Sequence, residues 1–329
     1  MQSFRTILPA FRPNFPIQHD QPWMCIGSCF AESMAQRLKA AKFNCDINPY
    51  GILYHPVHIT NCLDMICQDY QFTSKDLVLS NDRWYSLYHH SKHSHDDREQ
   101  LLIALQNSSI KSKAQIAKSD FYIFTFGTAY YYEHIATKVN VANCHKIPAI
   151  QFTKKMSTVD EIVDHFEDTL RNLLKINPNA KFIFTVSPIR HIKDGLIENT
   201  RSKATLHLAI DTLTKSFNQA HYFPSFEIMM DDLRDYRFYK EDMIHPSAAA
   251  VKYIWDHFIK NLFSEETHQL IEKIGHIQQA MRHKPFHPNS EAHQQFVKAN
   301  LDKIATLKKN NPLLDFLLEE NFFKEKISS

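Results

Sequence analysis

The sequence predicts an α/β protein built on a parallel, doubly wound sheet. Three observations carry this. Phe121–Phe126 and Phe182–Val186 are continuous apolar runs, the pattern of strands buried on both faces. Amphipathic stretches at helical spacing lie between the strand-like runs, so strands and helices alternate along the chain. Glycine is scarce, five in 329 residues, and Gly27, Gly51 and Gly127 each close a strand-like or turn-rich stretch. A chain this poor in glycine keeps it where backbone geometry or close approach demands it.

In order, Met24-Cys25-Ile26 reads as a buried strand broken by Gly27. A helix follows, with Phe30, Met34, Leu38 and Ala41 on one face and Glu32, Gln36, Arg37 and Lys39 on the other. Residues 43–47 read as a short strand entering the turn Asn48-Pro49-Tyr50-Gly51. A helix is predicted over 56–67, with Val57, Leu63 and Ile66 buried. Residues 77–79 and 83–88 suggest a hairpin inserted into the fold. His89, His90, His93 and His95 follow it and read as a solvated loop, since no ligand spacing accompanies them.

Residues 96–118 look helical. After the strand 121–126 and Gly127-Thr128-Ala129, Tyr130 to Glu133 continues as an extended arm towards Asn143-Cys144-His145-Lys146. Ser157 to Glu161 offers capping-box spacing ahead of a helix through Ile162, Phe166, Leu170 and Leu173, which ends at Asn177-Pro178-Asn179. The strand 182–186 closes at Ser187-Pro188. Leu206, Ala209, Ile210, Leu213 and Phe217 mark another helix, and residues 222–229 read as extended. Pro246 is expected in the first turn of a helix carrying Val251, Ile254, Trp255, Phe258 and Leu262. The remainder reads as helical, interrupted at 284–288. The organisation expected is one α/β domain over 1–263, with an insertion at about 70–118, and a helical extension over 264–329.

The chain is long enough to bury a large core. Its 43% apolar and 22% charged content is ordinary for a globular protein, and a net charge of +2 gives no general reason to expect nucleic acid as partner. Six cysteines without Cys-x-x-Cys pairing fit free thiols in a reducing compartment better than zinc or a disulfide framework. The first twenty residues carry Pro9, Pro13 and Pro16 and no signal-like apolar core, and no run reaches membrane-span length. A soluble cytoplasmic protein is expected. Gly-x-Ser-x-Gly, the P-loop, the dinucleotide glycine fingerprint and His-Glu-x-x-His are all absent.

Ligands of doubly wound folds bind outside the carboxyl ends of the strands. Ser28 and Cys29 stand there, at a strand-to-helix turn where backbone N–H groups face a reacting atom. Late in the chain, Asp242-Met243-Ile244-His245 places an aspartate where it can orient an imidazole, which then serves as general base for a distant nucleophile. Gly27, Gly51, Gly127 and His245 are expected to converge on one crevice.

Taken together, Gly27-Ser28-Cys29-Phe30-Ala31, Asn48-Pro49-Tyr50-Gly51, Gly127-Thr128-Ala129, Asn143 to Lys146, Ser187 to His191 and Asp231 to Tyr239 resemble the GSCFA-domain family over most of the chain. That family is related to the SGNH/GDSL hydrolase superfamily. The resemblance implies a flavodoxin-like three-layer α/β/α fold and acyl-ester chemistry without a cofactor. By it, Gly51 matches the block whose N–H helps bind the oxyanion, and Asp242 and His245 match the last block. The third block's asparagine falls on Ala129, so one oxyanion donor is missing, with Thr128 or Asn143 as stand-ins. The first block's register makes Cys29 the nucleophile, with Ser28 the alternative. A helix N-terminus and a nearby His245 are expected to lower the Cys29 pKa.

The reading is an ester hydrolase or O-acyltransferase acting on a polar substrate, a small molecule or a glycan ester. The alternative is an inactive module binding an anionic or sugar ligand in the same crevice, where Arg190, Arg234 and Arg237 are the candidate anion-holding residues. No metal is expected.

Overall fold

The structure, a computed structural model, describes residues 5–9, 13, 15 and 17–327. Pro16, one of the three N-terminal prolines, lies outside the described residues. The central sheet takes β1 (Trp23–Gly27), β2 (Cys45–Ile47), β6 (Phe121–Phe126), β10 (Lys181–Val186) and β11 (Ala220–Tyr222). They run parallel in the order β2-β1-β6-β10-β11. Counted within the sheet this is 2-1-3-4-5, the doubly wound order whose ligand crevice opens between the first and third strands.

Residues alternate between the two faces of β1. Met24 and Ile26 enter one apolar cluster, Trp23 and Cys25 the other. The first cluster is covered by α2 (Pro56–Cys67), α3 (Arg98–Ile116), α4 (Val159–Ile176) and α5 (Leu196–Ser216), through residues such as Leu63, Leu105, Phe166 and Ile210. The second is covered by α1 (Cys29–Ala40) and α7 (Ala248–Leu262), through Phe30, Leu38, Ile254 and Phe258. Helices on both faces give the three layers.

The insertion is a three-stranded antiparallel sheet, β3 (Leu77–Ser80), β4 (Arg83–Ser86) and β5 (Ser94–His95), one strand more than the hairpin expected. A second small sheet follows Gly127: β7 (Tyr130–His134) pairs with β8 (Asn140–Val141) and β9 (Phe152–Met156). The helices α8 (Glu265–Arg282), α9 (Glu291–Asn310) and α10 (Leu317–Glu325) share a cluster of their own, with Ile274, Val297, Ile304 and Phe323. Lys42 ties α10 to the body, its Nζ 2.8 Å from Glu319 Oε1. Among the described residues, no helix is long and apolar enough to cross a membrane.

Three local expectations are corrected. The histidine-rich loop is not solvated throughout: His89 is fully buried, its ring stacked 3.9 Å from Tyr50 and its Nδ1 2.9 Å from Ser86 Oγ. Burial holds it well below the ordinary histidine range, and therefore neutral. Residues 222–229 are extended only to Tyr222. Ser225 Oγ donates to Val186 O at 2.8 Å, and the chain turns there into α6 (Ser225–Glu227) and a wide π turn over Ile228–Leu233. Pro246 precedes α7 rather than opening it. Ser247 is the cap, its Oγ accepting from Ala250 N at 3.2 Å, while Pro246 pairs with Tyr239 in an isolated bridge.

Candidate active site

β1 ends where only glycine fits. Gly27 has φ +147°, and a Cβ there would stand 2.3 Å from the carbonyl oxygen of Thr125 on β6. Its N–H donates to Asn48 Oδ1 at 2.9 Å, and its carbonyl accepts from Leu53 N at 3.0 Å. The strand end is thus fixed from both neighbours before the chain turns into α1.

Ser28 caps α1. Its hydroxyl is buried, accepts from Phe30 N at 3.3 Å and lines neither of the crevices beside Cys29. Cys29 is the first side chain to face outward. Its Sγ lies 3.8 Å from His245 Nε2, across 216 residues of sequence. The two candidate nucleophiles are thereby separated in space: one is a cap, the other faces an imidazole.

His245 is held by its own loop. Lys240 N donates to His245 O at 2.7 Å, and the Tyr239–Pro246 bridge closes the base of the turn. Met243 takes a left-handed conformation, φ 56°, which brings Asp242 back over the turn. Asp242 Oδ1 accepts from the N–H groups of Ile244 and His245, each at 2.9 Å, and Oδ2 lies 2.7 Å from His245 Nδ1. With Nδ1 donating to the carboxylate, Nε2 is the ring nitrogen that faces the thiol. These three hydrogen bonds push the Asp242 carboxyl down to about 2.

The thiol contradicts expectation. Burial pushes Cys29 above the ordinary thiol range; its own N–H and that of Phe30 oppose the shift, Glu32 adds to it and the Lys203 charge opposes it. At rest Cys29 is a thiol awaiting a base, not a preformed thiolate.

Cys29 and His245 line two crevices at once. One, of about 420 Å³, is walled by Tyr54, His58, Thr128, the β7 tyrosines, Asn143, Arg190 and His191. The other, of about 1090 Å³, runs between α1, α7 and α8. Ile189 lines both.

Gly27, Gly51 and Gly127 line neither crevice, whereas Cys29 and Thr128, just after the first and last of them, do. Gly51, φ +82°, faces the insertion, where a Cβ would stand 2.4 Å from His90 Cβ. Its N–H donates to Asn48 O at 2.7 Å, so it is not an oxyanion donor here. The N–H groups of Gly127 and Thr128 both donate to Tyr54 O, at 2.8 and 3.1 Å. The Thr128 hydroxyl lies 3.0 Å from Ser202 Oγ. Of the suggested stand-ins, Asn143 keeps an uncommitted amide: its Oδ1 accepts from His145 N at 2.9 Å, and its Nδ2 has no partner among the described residues.

Arg190 reaches the crevice, whereas Arg234 and Arg237 do not line it. They stand exposed, 3.6 Å from Asp231 and 3.8 Å from Asp235. Among the described residues, no group of three or more His, Cys, Asp or Glu side chains is placed to hold a metal.

Sequence reasoning missed Lys203. It is 3% exposed on α5, and its Nζ donates to Gly127 O and Ser187 O, both at 2.7 Å, clasping the ends of β6 and β10. Burial pushes it down to about 7. The available signal was register: 203, 206, 210 and 213 share one helix face, and the other three are core residues.

Comparisons with known proteins complete the description. The profile of the GSCFA family matches residues 22–258, and that of the GSCFA domain protein C-terminal domain matches residues 274–329. Comparison with curated proteins gives no match. Among solved structures, the chain is similar to a Streptococcus pneumonia protein presumed to be a platelet activating factor. Identity is 13%, TM-score 0.41, with 74% of this chain and 85% of that one covered. It is also similar to a carbohydrate esterase family 2 enzyme with a carbohydrate binding domain from Corynascus thermopiles (Myceliophthora fergusii), at 13% identity and TM-score 0.38, covering 79% and 69%. A carbohydrate esterase family 3 enzyme from Talaromyces cellulolyticus aligns at 10% identity and TM-score 0.33, covering 77% and 99%.

Proposed function

The chain belongs to the GSCFA family, and from that premise we propose that it is an acyl-transfer enzyme, an ester hydrolase or O-acyltransferase with Cys29 as nucleophile. The observation that carries this reading is the Cys29–His245–Asp242 line at the carboxyl edge of the sheet, with contacts of 3.8 and 2.7 Å.

In this reading His245 Nε2 takes the thiol proton as Sγ attacks the acyl carbon, and Asp242 stabilises the imidazolium that forms. The negative charge gathers on the acyl oxygen, near the N–H of Cys29 at the start of α1 and the Asn143 amide. The tetrahedral adduct collapses, the alcohol leaves with the proton from His245, and an S-acyl Cys29 remains. Water, or a second hydroxyl, then attacks the thioester with His245 again as base, and Cys29 is regenerated as the thiol. Water makes the enzyme a hydrolase; an alcohol makes it a transferase. The substrate suited to a crevice of tyrosines and imidazoles is polar and hydroxyl-bearing, a small molecule or a glycan.

The test is trapping with an activated acyl ester, read by mass spectrometry of the intact protein and its peptides. A stoichiometric acyl adduct on Cys29, absent from Cys29→Ala and retained in Ser28→Ala, is expected. An adduct on Ser28 that persists in Cys29→Ala would overturn the assignment of the nucleophile. No adduct on either residue would leave the crevice a binding site without turnover.

A further inference from the structure

We propose that Arg190 is an anion-recognition group, so that the ester taken by this crevice carries a carboxylate or phosphate near the bond that is cleaved. This rests on the acyl-transfer reading of the same site and names its substrate class.

The first observation is how Arg190 is held. Its guanidinium carbon lies 5.2 Å from the ring centre of Tyr236 and 4.6 Å from that of Tyr239. The two tyrosine rings, whose hydroxyls also accept from the guanidinium, hold Arg190 at the crevice wall. Its Nε is buried without a hydrogen-bond partner, a costly state for a donor unless something accepts from it. The 236–239 segment that would otherwise be a charged surface turn is therefore the clamp of a crevice residue.

The second observation is charge balance. Arg190 and Lys193 stand on the crevice wall against a single carboxylate, Asp194, and that carboxylate lies 2.6 Å from Lys154 Nζ. Neither cation has an ion-pair partner among the described residues. Arg234 and Arg237, outside the crevice, each have one. A guanidinium edge facing a crevice with excess positive charge matches an oxyanion in two parallel hydrogen bonds.

The third observation is what else the wall offers. His58 and His191 are held down to about 4 by burial, hence neutral, and each keeps a buried Nε2 without a partner. Neutral imidazoles and the Asn143 amide add hydrogen bonds without opposing charge, which suits the hydroxyls that accompany an acid group on a sugar or polyol.

The experiment uses the full chain, with inorganic phosphate and glucuronate as probes and glucose as the neutral control. Phosphate and glucuronate should raise the melting temperature saturably, and glucose should not. Arg190→Gln should weaken phosphate binding about ten-fold or more, Arg190→Lys by less because charge remains while the fork is lost, and Arg234→Gln and Arg237→Gln not at all. If Arg190→Gln fails to fold, Lys193→Gln takes its place, with a loss of about two-fold or more expected. Phosphate binding that ignores both substitutions, or that falls equally in Arg234→Gln, overturns the proposal. A pair of activated esters differing only in one anionic group separates the two readings. Arg190-dependent phosphate binding without acylation of Cys29 by either ester leaves the anion site standing and removes the acyl-transfer reading. Equal acylation by both esters, unchanged in Arg190→Gln, does the reverse.

Discussion

Cys29 Sγ and His245 Nε2 meet at 3.8 Å, the one from the first turn of α1, the other from a loop that closes just before α7. Because burial raises the thiol rather than lowering it, Cys29 begins as a neutral thiol beside His245 Nε2. A thiol with a raised pKa is ionised only above the usual range of about 8.5. Iodoacetamide labelling of Cys29 should therefore climb steadily from pH 6.5 to 9, with no plateau near neutrality. Peptide mass spectrometry across that range checks it; a plateau reached below pH 7.5 would show a stabilised thiolate and refute the general-base mechanism.

The Asp242 carboxyl, pushed down to about 2 chiefly by the N–H groups of His245 and Ile244, has the sign of a group stabilised when charged. What it contributes to folding is present above its ordinary value near 4 and is lost only as the pH falls through about 2. The turn that holds His245 should thus stay formed throughout the neutral and mildly acidic range. Asp242→Asn should lower the acylation rate by about 10²–10⁴, through a misplaced proton and the loss of charge opposite the imidazolium. The melting temperature should move by only a few degrees, since the pair is about two-fifths exposed. An acylation rate within three-fold of the parent would argue that Asp242 merely shapes the loop.

Sequence reached the elements whose cause is local. β1 and β6 announce themselves by continuous apolar runs. Asp242 and His245 are three residues apart in one turn, so their pairing needs no knowledge of the rest of the fold. Cys29 followed from its place after Gly27. What sequence missed was set by partners remote in the chain. Nothing near Gly127 says that its N–H is taken by Tyr54 O, and nothing near Gly51 says that it faces His90. His89 looked solvated because its cover, Tyr50, lies across the insertion. Arg190 looked like Arg234 and Arg237 until their neighbours were placed: two carboxylates for the latter, two tyrosine rings for the former.

Two glycines predict opposite signs. Gly27→Ala would place a Cβ 2.3 Å from Thr125 O at a φ that side chains rarely adopt, with backbone on the clashing side. It should cost roughly 3 kcal/mol or more, or prevent folding. Gly275 lies inside α8, and a Cβ there meets nothing within 4 Å. Gly275→Ala should stabilise by about 0.5–1 kcal/mol through helix propensity. Thermal or urea unfolding of the two variants beside the parent decides it, and stabilisation by Gly27→Ala would contradict the strand-end geometry.

Lys203 gives the most distinctive pH dependence. Its folded pKa, held down to about 7 by burial, lies below the unfolded lysine value of about 10.4. Below pH 7 the folded state must bury an ammonium. Between pH 7 and about 10.4 the unfolded chain keeps a proton that the folded chain has released, so stability rises with pH across that window. Lys203→Met removes the titration but also the two 2.7 Å bonds that hold Gly127 and Ser187. The parent should therefore gain on the methionine variant as pH goes from 6 to 9, by an amount on the order of a few kcal/mol at most. Denaturant midpoints for both proteins at several pH values measure the difference. A gap that stays constant from pH 6 to 9 would mean that Lys203 is solvated or charge-paired in solution. A parent that loses stability relative to the variant as the pH rises would reverse the sign of the argument.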